Sequence, residues 1–495
     1  MFDDQQDYYA LLGITRDATT EDIKRAYFES AQKLHPDKNK AAGETELFLD
    51  VQKAYETLSN PIRRAQYDQA LPAEENPDLP YQYEVIHSRK TLARLDESQI
   101  LYDILELKAP PEARESSSPP LNVSLVIDRS TSMHGEKMDT VKATAVQVLR
   151  NLRPQDILSV VTFSDRAEVI IPAAYHQERL RLESRIQMIQ PSGATEIFQG
   201  LEAGVKEIMR SIDSKRVNHL ILLTDGHTYG DEQQCLALAS QLTKQGIGIS
   251  SMGIGSEWND AFLDTLSTRT GGSAVHIAEP QDIKRILLEK FNALAQTYAE
   301  DITLEFSPMD GVELSSVFRL QPDPAPIPVD GSKIHLGAIL QDTSTRVIFE
   351  YIIQPKAVKS DSLSYMDCKI KISISSRPLP VPPLRMRLQR PVSSSTGAGI
   401  PPPEIQQALS RLMLYRMQER ARAEIGKGNV AKATRQLERL AANLLSQGER
   451  SLAQTIMLEV DSLQKQHTLS EEGSKKMKYG TRALFLAPPK KELVQ

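Results

Sequence analysis

The chain has 495 residues, too many for one hydrophobic core, and its length predicts three or four domains. Apolar residues make up 40% of the chain and charged residues 25%, and the formal net charge is −6, so a protein that coats nucleic acid is disfavoured. Three features predict a soluble, cytoplasmic protein with no membrane partner. The sequence starts with acidic residues and not with a basic and apolar leader, and it has no run of roughly 18 apolar residues. Its two cysteines have neither metal nor disulfide spacing.

The first 70 residues read as helical. A short apolar segment stops at Gly13, and a second helix begins near Thr20 and ends before Pro36. A third helix carries an apolar stripe that ends at Leu58. Because the two longer helices each have one apolar face and are joined by a loop, they are expected to form an antiparallel helical hairpin.

A change of pattern follows this helical segment. Residues 71–81 are rich in proline and acidic side chains and predict a linker, and residues 82–120 begin with strand-like segments. Between 121 and 298, continuous apolar runs alternate with helices of period 3.6, which predicts a doubly wound, mostly parallel α/β sheet. The predicted buried strands are 121–128, 157–163, 220–225 and 247–254.

The last third of the chain predicts a β domain and then helices. Residues 299–390 alternate apolar and polar side chains, typical of an antiparallel β-sandwich, and residues 82–120 are a candidate source of its missing strands. Residues 391–403 predict a Pro/Ser/Gly linker and residues 404–466 a small helical bundle. Its leucine stripes favour packing, with client binding left open, and residues 467–495 read as a charged tail of uncertain order.

A histidine–proline–aspartate string stands at the tip of the predicted hairpin, as His35, Pro36 and Asp37, and Tyr67 and Asp68 follow the third helix. With these residues the segment 6–70 resembles the J domain of DnaJ-type co-chaperones. The resemblance implies that the segment binds an ATP-loaded DnaK-type chaperone of the seventy-kilodalton heat-shock class and stimulates its ATP hydrolysis.

The same resemblance assigns roles to particular residues. His35, Pro36 and Asp37 would carry the stimulating signal, and the basic side chains on the preceding helix would steer the encounter. Those docking residues are Lys24, Arg25 and Lys33. No Gly/Phe-rich segment and no C-x-x-C zinc repeats follow, so the chain resembles the DnaJ class that retains only the J domain.

Hydroxyl and carboxylate side chains follow the predicted parallel strands. Asp128, Ser130 and Ser132 come directly after the first strand, Thr195 opens a helix and Asp225 ends a third strand. Because ligands bind at the carboxyl ends of strands in such sheets, the side chains are expected to meet. Hard oxygens of this kind suit Mg²⁺ or Mn²⁺ better than a soft metal.

All five positions resemble the metal-ion-dependent adhesion site of a von Willebrand factor A domain spanning 121–298. The resemblance implies that the site holds Mg²⁺, Mn²⁺ or Ca²⁺ and leaves one coordination position for an Asp or Glu of a protein partner. His134 and His227 lie near these loops and read as surface histidines. The site has no evident general base and no second metal, so an enzyme is not expected.

Two functions remain in view from the sequence. The first is a co-chaperone adaptor, with unfolded-protein binding among its expected properties, that stimulates a DnaK-type chaperone and binds a protein client or complex through its divalent-metal-dependent von Willebrand factor A domain. The alternative is an interaction scaffold without ATPase-stimulating activity. Neither function involves nucleic acid or a membrane.

Overall fold

The structure is a computed structural model that describes residues 7–16, 18–34, 44–70, 79–114, 118–175, 178–228, 230–329, 331–377, 379–394 and 399–486. Its helices are α1 (Tyr8–Leu12), α2 (Thr20–Leu34), α3 (Glu44–Leu58), α4 (Pro61–Ala70), α5 (Glu136–Asn151), α6 (Arg179–Gln187), α7 (Ile197–Arg210), α8 (Glu232–Lys244), α9 (Asp260–Thr268), α10 (Asp282–Ala295), α11 (Pro403–Gly426), α12 (Val430–Ser446), α13 (Arg450–Gln466) and α14 (Glu471–Ala483). Its strands are β1 (Gln82–His87), β2 (Leu92–Ala93), β3 (Gln99–Lys108), β4 (Leu121–Asp128), β5 (Ile157–Phe163), β6 (Ala167–Ala174), β7 (Val217–Thr224), β8 (Gly248–Ile254), β9 (Ala274–Ile277), β10 (Thr297–Pro308), β11 (Val312–Gln321), β12 (Ala325–Ile327), β13 (Lys333–Leu340), β14 (Thr345–Ile353), β15 (Ser362–Ser373) and β16 (Leu384–Ser393). Among the residues so described, no helix is long and apolar enough to cross a membrane.

The N-terminal helical domain, α1 to α4, is a helical hairpin held by aromatic side chains. The rings of Tyr27 on α2 and Tyr55 on α3 stack with centroids 4.2 Å apart. Tyr67 of α4 stacks on Tyr8 of α1, and its hydroxyl accepts a hydrogen bond from the Tyr8 backbone N–H at 2.8 Å. The stacked rings of Tyr8 and Tyr67, together with the hydrogen bond to the Tyr67 hydroxyl, therefore hold α1 and α4 against each other.

The α/β domain is a six-stranded sheet of order β6-β5-β4-β7-β8-β9. All neighbouring pairs are parallel except β5 and β6, which are antiparallel. Strands β4, β5 and β7 are buried along their whole length because helices cover both faces of the sheet. The predicted doubly wound sheet is confirmed, and the antiparallel edge strand β6 is an addition to it.

A β-sandwich flanks the α/β domain in the sequence. One of its sheets has the order β1-β3-β14-β11-β12 and the other the order β13-β10-β15-β16-β2. Strand β3, which precedes the α/β domain, pairs with β14, which follows it, from Gln99 opposite Ile353 to Leu107 opposite Thr345. The α/β domain is therefore an insertion between strands of one sandwich.

The C-terminal helical domain, α11 to α14, packs on both preceding domains. Ile405, Leu412 and Tyr415 of α11 share a hydrophobic cluster with Phe318 and Ile348 of the sandwich. Arg416 of the same helix donates to the carboxylate of Glu350 at 2.6 Å. The leucine stripes of α12 and α13 form the interior of the helical domain itself, so packing accounts for them.

Two expectations about the ends of these domains are wrong. Residues 467–495 were expected to be a charged tail, yet Glu471–Ala483 forms α14, and Lys475, Lys478 and Arg482 on it are buried. These charges have partners on another domain, which a sequence pattern does not reveal. Strand β16 also continues to Ser393, into the predicted 391–403 linker. Most of the predicted 71–81 linker lies outside the described residues.

Candidate functional site

The loop after β4 brings together three polar side chains at the carboxyl end of the parallel sheet. The backbone N–H of Ser130 donates to Asp128 Oδ1 at 2.7 Å. The hydroxyl oxygens of Ser130 and Ser132 lie 3.0 Å apart, and Ser132 Oγ donates to Asp225 Oδ1 at 2.6 Å. Four of the five predicted metal-site residues therefore form one connected set.

Thr195 completes this set from the loop before α7. A Cβ atom built on Gly226, next to Asp225, would lie 3.1 Å from Thr195 Oγ1, so that hydroxyl lies against the end of β7. The backbone N–H of Ser192 donates to the carbonyl of Arg129 at 2.6 Å, which ties this loop to the one after β4. The structure thus places all five predicted side chains at one edge of the sheet.

The two carboxylates of the site have different surroundings. Burial raises the pKa of Asp128 to about 6, although Thr224 and Ser130 donate hydrogen bonds that favour the charged form. The Thr224 hydroxyl lies 2.6 Å from Asp128 Oδ2. The side chain of Asp225 is fully buried, and its Oδ2 accepts a hydrogen bond from the Lys137 ammonium at 2.5 Å.

The donor set fits a hard divalent ion. Oxygens that share an edge of an octahedral shell lie about 3.0 Å apart when the metal–oxygen distances are about 2.1 Å. The Ser130 and Ser132 hydroxyls have this separation. In the part of the chain that the structure describes, no group of three His, Cys, Asp or Glu side chains could hold a metal. The hydroxyls are therefore the distinguishing donors of this candidate site.

The surface around the site is open on one side. Ser132 is exposed, whereas Asp128, Ser130, Thr195 and Asp225 are buried. Among these five residues, Ser132 is therefore the one through which the site meets solvent. His134 and His227 both lie at exposed loop positions, as the sequence predicted.

The predicted chaperone-contact residues are only partly described. His35, Pro36 and Asp37 lie outside the described residues, as does the side chain of Lys33. Lys24 is exposed on α2. Arg25 is 67% exposed and its guanidinium pairs with Asp22 at 2.6 Å.

The N-terminal helical domain rests on the β-sandwich. Gly13 ends α1 with φ +64°, and a Cβ atom there would lie 2.6 Å from the ring of Pro380. Leu379 packs on the core of the helical domain, and Arg385 donates to the Thr15 hydroxyl at 3.2 Å. Gly13, Leu379 and Pro380 also line a cleft of about 770 Å³.

Helix α2 faces the sandwich across this cleft. Asp22 and Arg25 line one wall, and Lys369 and Lys371 of β15 line the other. The hydrogen bond from Thr19 lowers the pKa of Asp22, and the positive charges of Arg25 and Lys369 add to the effect. Lys24 is therefore exposed to solvent, whereas Arg25 lines the cleft beside the sandwich.

The α14 helix binds the α/β domain through buried charges. Arg482 donates from both Nη atoms to the two carboxylate oxygens of Asp264, each at 2.7 Å. Lys478 lies 2.5 Å from Asp264 and 2.6 Å from Asp260, and Arg422 of α11 also pairs with Asp260. Burial alone would raise the pKa of Asp264, but Arg482 and Lys478 outweigh it and hold that pKa below its ordinary value.

This cluster was missed in the sequence although a signal is present. Lys475, Lys478 and Arg482 recur at helical spacing on α14, and Asp260 and Asp264 stand four residues apart on α9. Each pattern alone is typical of a solvated helix face. Only their burial against each other shows that they join two domains.

Three protein families match separate parts of the chain. Residues 7–68 match the DnaJ domain, residues 122–292 the von Willebrand factor type A domain, and residues 403–487 the Sll0103-like, C-terminal alpha-helical domain. A J domain and a von Willebrand factor A domain are therefore both present in this chain. The predicted fold class, a multidomain α and α/β protein, is confirmed.

Individual relatives divide the chain in the same way. The uncharacterized protein sll0103 of a Synechocystis strain is 26% identical over 385 residues, which cover 75% of this chain and 89% of that protein. The chaperone protein DnaJ of Methanosarcina thermophila is 54% identical over 63 residues, which cover 13% of this chain and 16% of that protein. DnaJ homolog subfamily B member 12 of Mus musculus is 55% identical over 64 residues, or 17% of its length. The DnaJ-type relatives are thus matched over about a sixth of their length.

Solved structures share the fold of the larger part of the chain. A von Willebrand factor type A protein from Catenulispora acidiphila covers 83% of this chain and 98% of its own, with a TM-score of 0.64 and 15% identity. The ArnB paralog VWA2 from Sulfolobus acidocaldarius covers 83% of this chain and 100% of its own, with a TM-score of 0.51 and 16% identity. At this identity the likeness concerns the fold alone.

Proposed function

We propose that this protein is a co-chaperone adaptor. Its J domain recruits a DnaK-type chaperone and stimulates ATP hydrolysis, while its von Willebrand factor A domain binds a protein client through a divalent ion. The observation that carries the proposal is the convergence of Asp128, Ser130, Ser132 and Asp225 in one hydrogen-bonded set, in a chain that also has a J domain. Binding by the second domain would bring the chaperone to the client.

The chemistry of client binding follows from the donor set. Asp128, Ser130, Ser132, Thr195 and Asp225 would hold the ion, directly or through water. Three of these donors are neutral hydroxyls, so a bound divalent ion keeps enough positive charge to attract a carboxylate. A Glu or Asp side chain of the client would then complete the shell. No bond is made or broken in this scheme, and we propose no enzymatic activity.

An interaction scaffold without ATPase stimulation is the second candidate. Phe28 is 58% exposed on α2 and Glu29 lies beside it, so an apolar and an acidic side chain stand on the helix expected to attract the chaperone by basic residues. Arg25 is also paired with Asp22. A weaker positive surface would slow the encounter with the chaperone.

One assay separates the two candidates. The steady-state ATPase rate of a DnaK-type chaperone is measured alone, with the wild-type protein and with His35→Gln. Stimulation by the wild type that His35→Gln abolishes supports the adaptor. Equal rates at the basal level for both proteins would leave only the scaffold.

A separate measurement tests the metal site. Mg²⁺ or Mn²⁺ should raise the thermal midpoint of the wild type, because an ion that binds only the folded state stabilises it. Asp128→Ala should abolish this rise, and Asp139→Ala, which changes an exposed aspartate of α5, should preserve it. A wild-type midpoint indifferent to both ions would contradict metal-dependent binding.

A further inference from the structure

Lys137 stands at the candidate metal site although no motif position includes it. It is the second residue of α5, the helix that follows the loop of Ser130 and Ser132. Side chains of a helix point back towards its N-terminus, and this direction leads Lys137 into the site. Its Nζ lies 2.5 Å from Asp225 Oδ2 and 3.4 Å from the carbonyl oxygen of Ser132.

The Lys137 ammonium has neighbours on two other segments of the domain. Asp225 is fully buried, with Oδ1 bound to Ser132 and Oδ2 bound to Lys137, so both carboxylate oxygens have a partner within the chain. Gly255, after β8, lies near the ammonium, since a Cβ atom built on it would lie 3.9 Å from Lys137 Nζ. Lys137 remains 31% exposed, so its side chain has room to move into solvent.

This arrangement has an electrostatic consequence for metal binding. An ion held by Asp225 and Ser132 would lie within a few ångströms of the Lys137 ammonium, because Lys137 contacts both residues. Like charges at such a distance repel strongly in a partly buried site. The ion must either displace the ammonium from Asp225 or bind in its presence, and both alternatives weaken binding.

We propose that Lys137 competes with the divalent ion for Asp225 and lowers the intrinsic metal affinity of the site. A carboxylate from a client would offset this excess of positive charge, so metal and client would bind more tightly together than either does alone. The inference rests on the proposed metal-dependent function and names the residue that tunes it.

Calorimetric titration of the full chain with Mn²⁺ alone tests this inference. Lys137→Met should bind the ion about tenfold or more tightly than the wild type, because a like charge has been removed. Lys137→Arg, which keeps the charge, should stay within about threefold of the wild type. Lys206→Met is the matched control, since it removes a 67% exposed lysine from α7 of the same domain and should leave the affinity unchanged.

The sign of the change decides between two roles. If Lys137 only orients Asp225, Lys137→Met will bind Mn²⁺ more weakly than the wild type. Weaker binding would overturn the inference, and so would an unchanged affinity. Asp128→Ala separates this failure from that of the proposed function. Binding that Asp128→Ala abolishes, with equal affinities for wild type and Lys137→Met, refutes only the role of Lys137. Absence of binding in every variant refutes both.

Discussion

Replacement of Arg482 by methionine should loosen the attachment of α14 to the α/β domain. Methionine keeps much of the side-chain volume but removes the two hydrogen bonds to Asp264, each of 2.7 Å. The side chain of Arg482 is 4% exposed and that of Asp264 10%, so solvent cannot replace the lost partner. Breaking a buried ion pair from one side costs about 3–5 kcal/mol. Because Lys478 still lies 2.5 Å from Asp264, we expect the lower end of this range.

Differential scanning calorimetry measures this effect. A loss of about 3 kcal/mol lowers the melting temperature of a cooperative unit of 150–250 residues by about 6–12 °C. Arg435→Met, which removes an exposed arginine from α12, should leave the melting temperature unchanged. A shift for Arg482→Met no larger than that of this control would refute the argument from buried charge. Asp264→Asn added to Arg482→Met should cost far less than Asp264→Asn alone, because the two side chains act as a pair.

Three further predictions concern other parts of the molecule. Burial raises the pKa of Asp103 from an ordinary value near 3.8 to about 7, so between these pH values the folded chain holds a proton that the unfolded chain releases. The free energy of unfolding should therefore fall as pH rises from about 4 to about 7. Urea titrations of Asp103→Asn should show a smaller fall over this range than those of the wild type, and an equal fall would count against the prediction. Thr224→Val removes the hydroxyl that donates a hydrogen bond to Asp128. It should weaken Mn²⁺ binding, measured by calorimetric titration, by about 10–100-fold. An unchanged affinity would argue against this supporting role of Thr224. Gly13→Ala places a Cβ atom 2.6 Å from Pro380 at φ +64°, which should loosen the contact between the J domain and the sandwich. Proteolysis should then cut the chain between these two domains faster than in the wild type. Equal rates of cleavage would mean that this contact does not hold the J domain.

The fold class was accessible from the sequence because buried parallel strands leave a clear pattern. The ranges predicted for β4 and β5 agree with the structure because both strands are apolar throughout and covered on both faces. Strand β6 was not predicted, since it lies at an exposed edge and mixes Glu168 and Pro172 with apolar residues. Helix α14 was missed for a related reason, because its buried lysines and arginine have the composition of a solvated segment.

The candidate site also contains residues that the sequence predicted and one residue that it did not. The five oxygen-bearing side chains were placed together by a rule of topology, namely that the ends of parallel strands meet at one edge of the sheet. Lys137 follows no such rule, since it is one of 59 lysines and arginines and its contact with Asp225 depends on the direction of a helix. The roles of the five side chains and of the chaperone-contact residues stay predictions that the experiments above address.

The pairing of β3 with β14 also constrains how the chain is made. Strand β3 leaves the ribosome before the whole α/β domain, yet it lies between β1 and β14 in the finished sheet. At about 5–20 residues per second, β14 follows it by on the order of ten seconds or more. Throughout that interval one edge of β3 lacks its β14 partner. The completed core is also missing, and it is this core that buries apolar side chains of β3 such as Leu101 and Leu105. A nascent chain of this protein therefore spends part of its synthesis with an unpaired strand edge, which closes only after the inserted α/β domain has been made.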